Sequence, residues 1–129
     1  MALLPGTLGM AGPLSSDILG LEVTEHGPGI RVVTVMGEID GMTAPELATF
    51  LTAQLVAAPV VVVDLDDVRF LGSPGLSVLI QANELATRED RELCLVCNSQ
   101  TANWALQVTE LRERFTFAAS VSEALKNCA

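Results

Sequence analysis

The sequence predicts a single α/β domain: a small, mixed, mostly parallel sheet of four or five strands, opened by an N-terminal hairpin and flanked by about four helices. Three observations predict it. Val60 to Val63 is an unbroken β-branched run, the pattern of a strand covered on both faces. Strand-like and helix-like segments alternate along the chain. Half the residues are hydrophobic but only 4% are aromatic, so Val, Leu, Ile and Ala must build the core. The 129 residues suffice for one domain with a real core and not for two. Residues 1–18 are expected to form a flexible tail and 19–129 the domain.

Taken in order, Met1 to Gly20 leans apolar, but it lacks a basic start and is broken by Pro5, Gly6, Gly9, Gly12 and Pro13. That fits neither a signal peptide nor a membrane span, so the expected location is cytoplasmic. Leu21 to Glu25 and Ile30 to Glu38 read as strands joined by His26-Gly27-Pro28-Gly29, strong turn chemistry. The second strand is apolar on both faces apart from Arg31 and Thr34, so it belongs inside the sheet and the first nearer an edge. A helix opens at Thr43 or Ala44, with Thr43 as N-cap, Pro45 in the first turn and Glu46 as capping-box partner. Leu47, Phe50, Leu51, Gln54 and Leu55 carry its stripe, and Ala57-Ala58-Pro59 ends it.

The strand Val60 to Val63 is expected to end in the acids of Asp64-Leu65-Asp66-Asp67, at the carboxyl edge where open α/β sheets build their sites. A helix follows from about Pro74 to Arg88, with Ser73 as its cap. Gly75, Val78, Leu79, Ala82, Leu85 and Ala86 share its inner face, and Ser77, Gln81, Glu84 and Arg88 its outer one. Leu76 and Ile80 lie on a flank, expected to be partly exposed, either in a partner-binding patch or against a neighbouring helix. Glu92 to Cys97 is the next strand. Gln100 to Leu111 is a helix with Trp104, Leu106, Val108 and Leu111 available for packing. Phe115 to Phe117 is a short last strand, and Ser120 to Asn127 a terminal helix capped by Ser120 with Glu123 in capping-box position.

Charge and cysteine count exclude several classes. Seven Lys and Arg against sixteen Asp and Glu leave −9, with no basic cluster for a phosphate backbone, so no nucleic-acid partner is expected. Cys94 and Cys97 resemble C-x-x-C, but in a strand residues three apart lie on opposite faces about 10 Å apart. A disulfide needs Cα atoms within about 7 Å. One His and three scattered Cys do not supply a zinc site, and no metal or cofactor is expected. His26 reads as a solvated turn residue, and Cys128 as the exposed thiol with a conceivable redox role.

Gly72-Ser73-Pro74-Gly75 is the candidate site. Helix capping alone accounts for Ser73 structurally. A hydrolase elbow, G-x-S-x-G, fails because Leu71 stands two before Ser73 and His26 precedes it in the chain. A phosphate-binding loop needs G-K-[ST], and the only lysine is Lys126. A receiver-type phosphoacceptor would want an early acidic pair and a late lysine, and neither is evident. No enzyme constellation remains. The other reading is a serine that a kinase modifies, at a helix start whose dipole tolerates a phosphate.

Two segments at this separation carry a resemblance: Gly37-Glu38-Ile39-Asp40-Gly41-Met42-Thr43-Ala44-Pro45-Glu46-Leu47, and Val62 to Leu76 with Asp64, Asp66, Gly72 and Ser73. They resemble the STAS domain, and more narrowly the bacterial anti-sigma factor antagonists, over about Leu21 to Leu125. The resemblance implies a binding module that captures a serine-kinase anti-sigma factor when unphosphorylated and so frees a sigma factor. The kinase then phosphorylates a serine at the start of the second helix, by position Ser73, and a phosphatase restores binding. It also implies a partner surface of Asp40, Gly41, Thr43, Gly72, Ser73, Pro74, Gly75, Leu76 and Ile80. Two departures stand out: Gly72 replaces the family's usual Asp, and Pro74 its second hydroxyl residue. They leave open a STAS module that is not phosphorylated, constitutive or gated by thiols through Cys128.

Overall fold

The computed structural model describes residues 18–127, so the expected tail and Cys128 lie outside the described residues, Ile18 apart. β1 (Leu19–Glu25) and β2 (Ile30–Ile39) form the hairpin; α1 (Ala44–Ala57), β3 (Val60–Leu71), α2 (Ser73–Arg88), β4 (Glu92–Val96) and α3 (Gln100–Val108) follow. A 3-10 turn at Arg112–Arg114, β5 (Thr116–Ala118) and α4 (Val121–Asn127) complete the order. The five strands lie in sequence order, β1 antiparallel to β2 and the rest parallel. The expected mixed sheet with an N-terminal hairpin and four α-helices is therefore present among the described residues.

The sheet separates two apolar layers. Leu19, Val33, Val35, Ile39, Val61, Val63 and Leu65 point to one face, where α1, α2 and α3 close the main core. Val32, Val62, Cys94 and Val96 point to the other, against Ala124 of α4. The β-branched run of β3 contributes to both, as its lack of polar alternation required. Alternation also puts Cys94 and Cys97 in different layers, both buried.

α1 buries Leu47, Leu51, Gln54 and Leu55 as its stripe predicts. The polar member is satisfied, since Arg31 Nη1 donates to Gln54 Oε1 at 2.9 Å. The expected capping box at Thr43 is not formed. Thr43 is the N-cap in backbone terms, but its hydroxyl turns away from the helix to bond the preceding loop. At α4 half of the expected box forms: Glu123 N donates to Ser120 Oγ at 3.1 Å, while Glu123 Oε1 accepts from Ala119 N at 2.9 Å, one residue before the cap.

β3 does not stop at its acids. It runs on to Leu71, because Leu65, Val68 and Leu71 still reach the core and β2 offers a partner along the whole length, with register shifts between Thr34 and Met36 and between Gly37 and Glu38. β4 pairs only as far as Asp64↔Val96. The acids thus lie mid-strand, and Asp66 Oδ1 uses the freed side to accept from Asn98 N at 2.7 Å. α3 is also shorter than expected. Glu110 adopts a left-handed conformation (φ 60°) and Leu111 N donates to Leu106 O, closing the helix end. Leu106 is buried and Leu111 packs on the core, but Trp104 (66% exposed) and Val108 face solvent.

Candidate functional site

The carboxyl edge of β2 and β3 carries the site. Past β2, Asp40 folds the loop around its own carboxylate. Its Oδ1 accepts from Met42 N at 2.9 Å and Thr43 N at 3.0 Å, and those N–H groups hold its carboxyl below the usual range. The Thr43 hydroxyl accepts from Asp40 N at 2.9 Å and donates to Glu38 O at 3.0 Å. Thr43 is only 3% exposed, so it shapes the loop and offers no surface. Gly41 and Met42 form the exposed tip, Met42 at 87%.

The junction between β3 and α2 lies beside this loop. Gly72 N donates to Ile39 O at 2.9 Å, and a Cβ added to Gly41 would stand 3.9 Å from Pro74 Cγ. Gly72, not Ser73, is the N-cap; its extended backbone (φ −91°, ψ 176°) lets its carbonyl accept from Leu76 N at 3.1 Å. Ser73 is therefore the first residue of α2 and not its cap. Proline fits the first helical turn, where its missing N–H would have had no intrahelical acceptor, so the helix carries Pro74 just after its start. Ser73 is exposed, and its hydroxyl makes no hydrogen bond among the described residues.

The structure brings Gly41, Gly72, Ser73 and Pro74 to one surface. It does not bring Leu76, which is 5% exposed and part of the main core, so the partial exposure expected for it is not seen. Leu76 stands three residues before Leu79, so both lie on the side of α2 that enters the main core. Gly75 is buried as well: an added Cβ would stand 2.5 Å from Ile39 Cγ2 and 2.7 Å from Leu71 Cδ1. Ile80 is half-buried against the core. Sequence reasoning missed Met42 and Phe70, both exposed at this edge. The signal for Met42 was a large apolar residue between a glycine and a cap.

Alternative chemistries find no support in this geometry. His26 sits on the hairpin, at the opposite end of the ten-residue β2, about 30 Å along the sheet from Ser73. It bonds Thr24 Oγ1 at 2.9 Å. Among the described residues no group of three His, Cys, Asp or Glu is placed to hold a metal, and no helix is long and apolar enough to cross a membrane.

Comparison with known proteins bears on this arrangement. The family model of the STAS domain matches residues 23–124. A crystal structure of an anti-sigma factor antagonist from Mycobacterium paratuberculosis is similar at 31% identity and TM-score 0.76, covering 91% of this chain and 97% of that one. The anti-sigma factor antagonist SpoIIAA in its unphosphorylated form shares the fold at 14% identity and TM-score 0.71, over 84% of this chain and 96% of that one. The phosphorylated form of SpoIIAA, a Bacillus cell fate determinant, gives TM-score 0.66 at 14% identity, over 85% and 100% of the two chains. A comparison with curated proteins found no match. With its strand order, its helix start at Ser73 and a family match over most of its length, the chain belongs to the STAS domain family.

Proposed function

We propose that this protein is an anti-sigma factor antagonist, a binding module and not an enzyme, acting in the cytoplasm. Unmodified, it captures an anti-sigma factor of the serine-kinase type and so releases a sigma factor. Phosphorylation of Ser73 by that kinase ends the capture, and a phosphatase restores it. The observation that carries the reading is Ser73 itself: an exposed hydroxyl, bonded to nothing among the described residues, on the first residue of a helix beside the Asp40 loop. Gly41, Met42, Gly72, Ser73 and Pro74 would touch the partner, with Ile80 on the flank. Asp40, Thr43, Gly75 and Leu76 would act by holding that surface in shape.

A phosphate would add about −1.5 to −2 charges at this point. The helix N-terminus accommodates an anion, although Pro74 removes one of its N–H donors. The fold would survive while the surface presented to the partner changed charge. The test is incubation of wild type and Ser73→Ala with candidate anti-sigma kinases and ATP, read by intact mass. A single-phosphate gain in wild type alone is expected. Ser73→Glu should weaken partner binding about tenfold or more with circular dichroism unchanged. Equal binding by wild type and Ser73→Glu would refute the charge switch.

Gly72 and Pro74 favour a second reading, a STAS module that binds without phosphorylation. A kinase that binds but transfers no phosphate would support it. In a thiol-gated version Cys128 would have to respond, because Cys94 and Cys97 are buried and burial pushes the Cys97 thiol up.

A further inference from the structure

Arg112 stands out in this acidic chain. Its guanidinium lies over the Phe117 ring, 4.3 Å from the centroid, and its Nη1 donates to Asn103 Oδ1. Asn103 is itself fixed, because its Nδ2 donates to Cys97 O at 2.8 Å. The guanidinium is thus held from two sides, by α3 and by β5. Yet it makes no ion pair among the described residues, although Glu110 and Glu113 stand within two positions of it. Its other N–H groups meet no acceptor among the described residues. A fork so oriented is ready to take a carboxylate from outside.

Arg112 lines a hollow of about 560 Å³ with Gln107, Glu110, Glu113, Phe115 and Phe117. That volume is in the range of small-molecule sites. The floor is apolar: Phe115 is buried, and its ring meets Phe117 edge to face with 6.3 Å between centroids. The turn that carries the charges is anchored from outside, since Asn83 Nδ2 of α2 donates to Arg114 O at 2.9 Å. The hollow shares no lining residue with the surface around Ser73. Charge decides its occupant. A simple acid would meet Arg112 but also two carboxylates, on a chain of net charge −9. A simple amine would meet the carboxylates but also the guanidinium. An apolar molecule bearing both signs answers all three groups at no net charge.

We propose that this hollow binds a free α-amino acid with an apolar side chain. Its carboxylate lies on Arg112, its ammonium at Glu110 and Glu113, and its side chain on Phe115 and Phe117. A peptide terminus, which carries only one of the two charges, would not fit. The site does not depend on the antagonist reading. Titration of the full-length chain with L-phenylalanine at neutral pH, followed by backbone amide NMR, tests it. The signals of Gln107, Glu110, Glu113 and Phe117 should shift saturably with a Kd of about 1 mM or below, while Glu22 and Gln54 stay in place. Phenylpropionate, which lacks the ammonium, and phenethylamine, which lacks the carboxylate, should each bind at least about tenfold more weakly. Arg112→Lys should weaken L-phenylalanine about tenfold, since an ammonium cannot offer the fork. Should that variant lose the turn, Glu110→Gln combined with Glu113→Gln carries the test, because both side chains are exposed. It should weaken L-phenylalanine and tighten phenylpropionate. No saturable shift up to about 10 mM would overturn the proposal. So would analogues that bind as well as the amino acid, which would make the hollow an apolar patch. So would a double variant that binds all three molecules as wild type does.

Discussion

At Gly75 α2 packs directly on Ile39 and Leu71 of the sheet. Gly75→Ala would drive a methyl into Ile39 and Leu71, and the resulting overpacking should cost about 1–3 kcal/mol, read as a lower urea midpoint at unchanged slope. Two carboxylates respond to pH in opposite senses. Asp40 is depressed by the Thr43 and Met42 N–H groups, so its ionised form is favoured by folding. Its contribution is complete above the unfolded value of 3.8 and is lost as pH falls through the lower folded value. Amide exchange at Met42 and Thr43 should therefore stay slow down to about pH 4 and accelerate below it, and Asp40→Asn should remove that dependence. Asp64 is raised, first by desolvation and then by Asp66 and Asp67, so folding favours its neutral form and ionisation weakens the fold as pH rises past 3.8. Asp64→Asn keeps the acceptor for Asp66 N and should raise Tm at neutral pH but not in acid, by less than about 1 kcal/mol at this partly exposed site. At this scale sequence found Ser73 but not its neighbours' roles. Thr43 read as a cap because cap chemistry is local, whereas its hydroxyl answers to Glu38 and Asp40 in a folded loop.

Elements were legible wherever periodicity spoke for them. The inner face of α2 is buried and its stripe of Ser77, Gln81, Glu84 and Arg88 is exposed, as spacing alone required. Lengths were less legible, since β3 outlasts its acids only because β2 pairs with it to Leu71. Caps that also bridge elements are the vulnerable points. Ser99 Oγ accepts from Ala102 N at 3.2 Å to start α3, and donates to Val68 O at 2.7 Å to tie that helix to the second half of β3. Ser99→Ala should cost about 1–2 kcal/mol, more than a simple cap in a peptide, because it leaves a part-buried carbonyl unsatisfied. Thermal unfolding with Ser99→Thr as the restoring control checks this. The Trp104 surface of α3 was misjudged for a related reason: a nine-residue helix packs through Ala102, Ala105 and Leu106, and the rotation that seats them turns Trp104 outward.

Across the whole molecule charge is poorly compensated. Against a net charge of −9 the described residues hold one ion pair, Arg31 to Glu25 at 3.4 Å. Self-repulsion should therefore dominate over pairing, and raising salt from about 0.02 to 0.2 M should raise Tm without changing the unfolding slope. A fall in Tm would mean that specific pairs matter more than net charge.

The sequence by itself determined the α/β class, the hairpin, the order of strands and helices and the location of Ser73 at a helix start, because periodicity, turn residues and proline act over a few neighbours. Tertiary structure decided which of those residues are surface. Leu76 and Thr43 vanish into the fold while Met42, Phe70 and Trp104 emerge from it. Burial depends on which elements meet across the sheet, and no local pattern along the chain encodes that meeting.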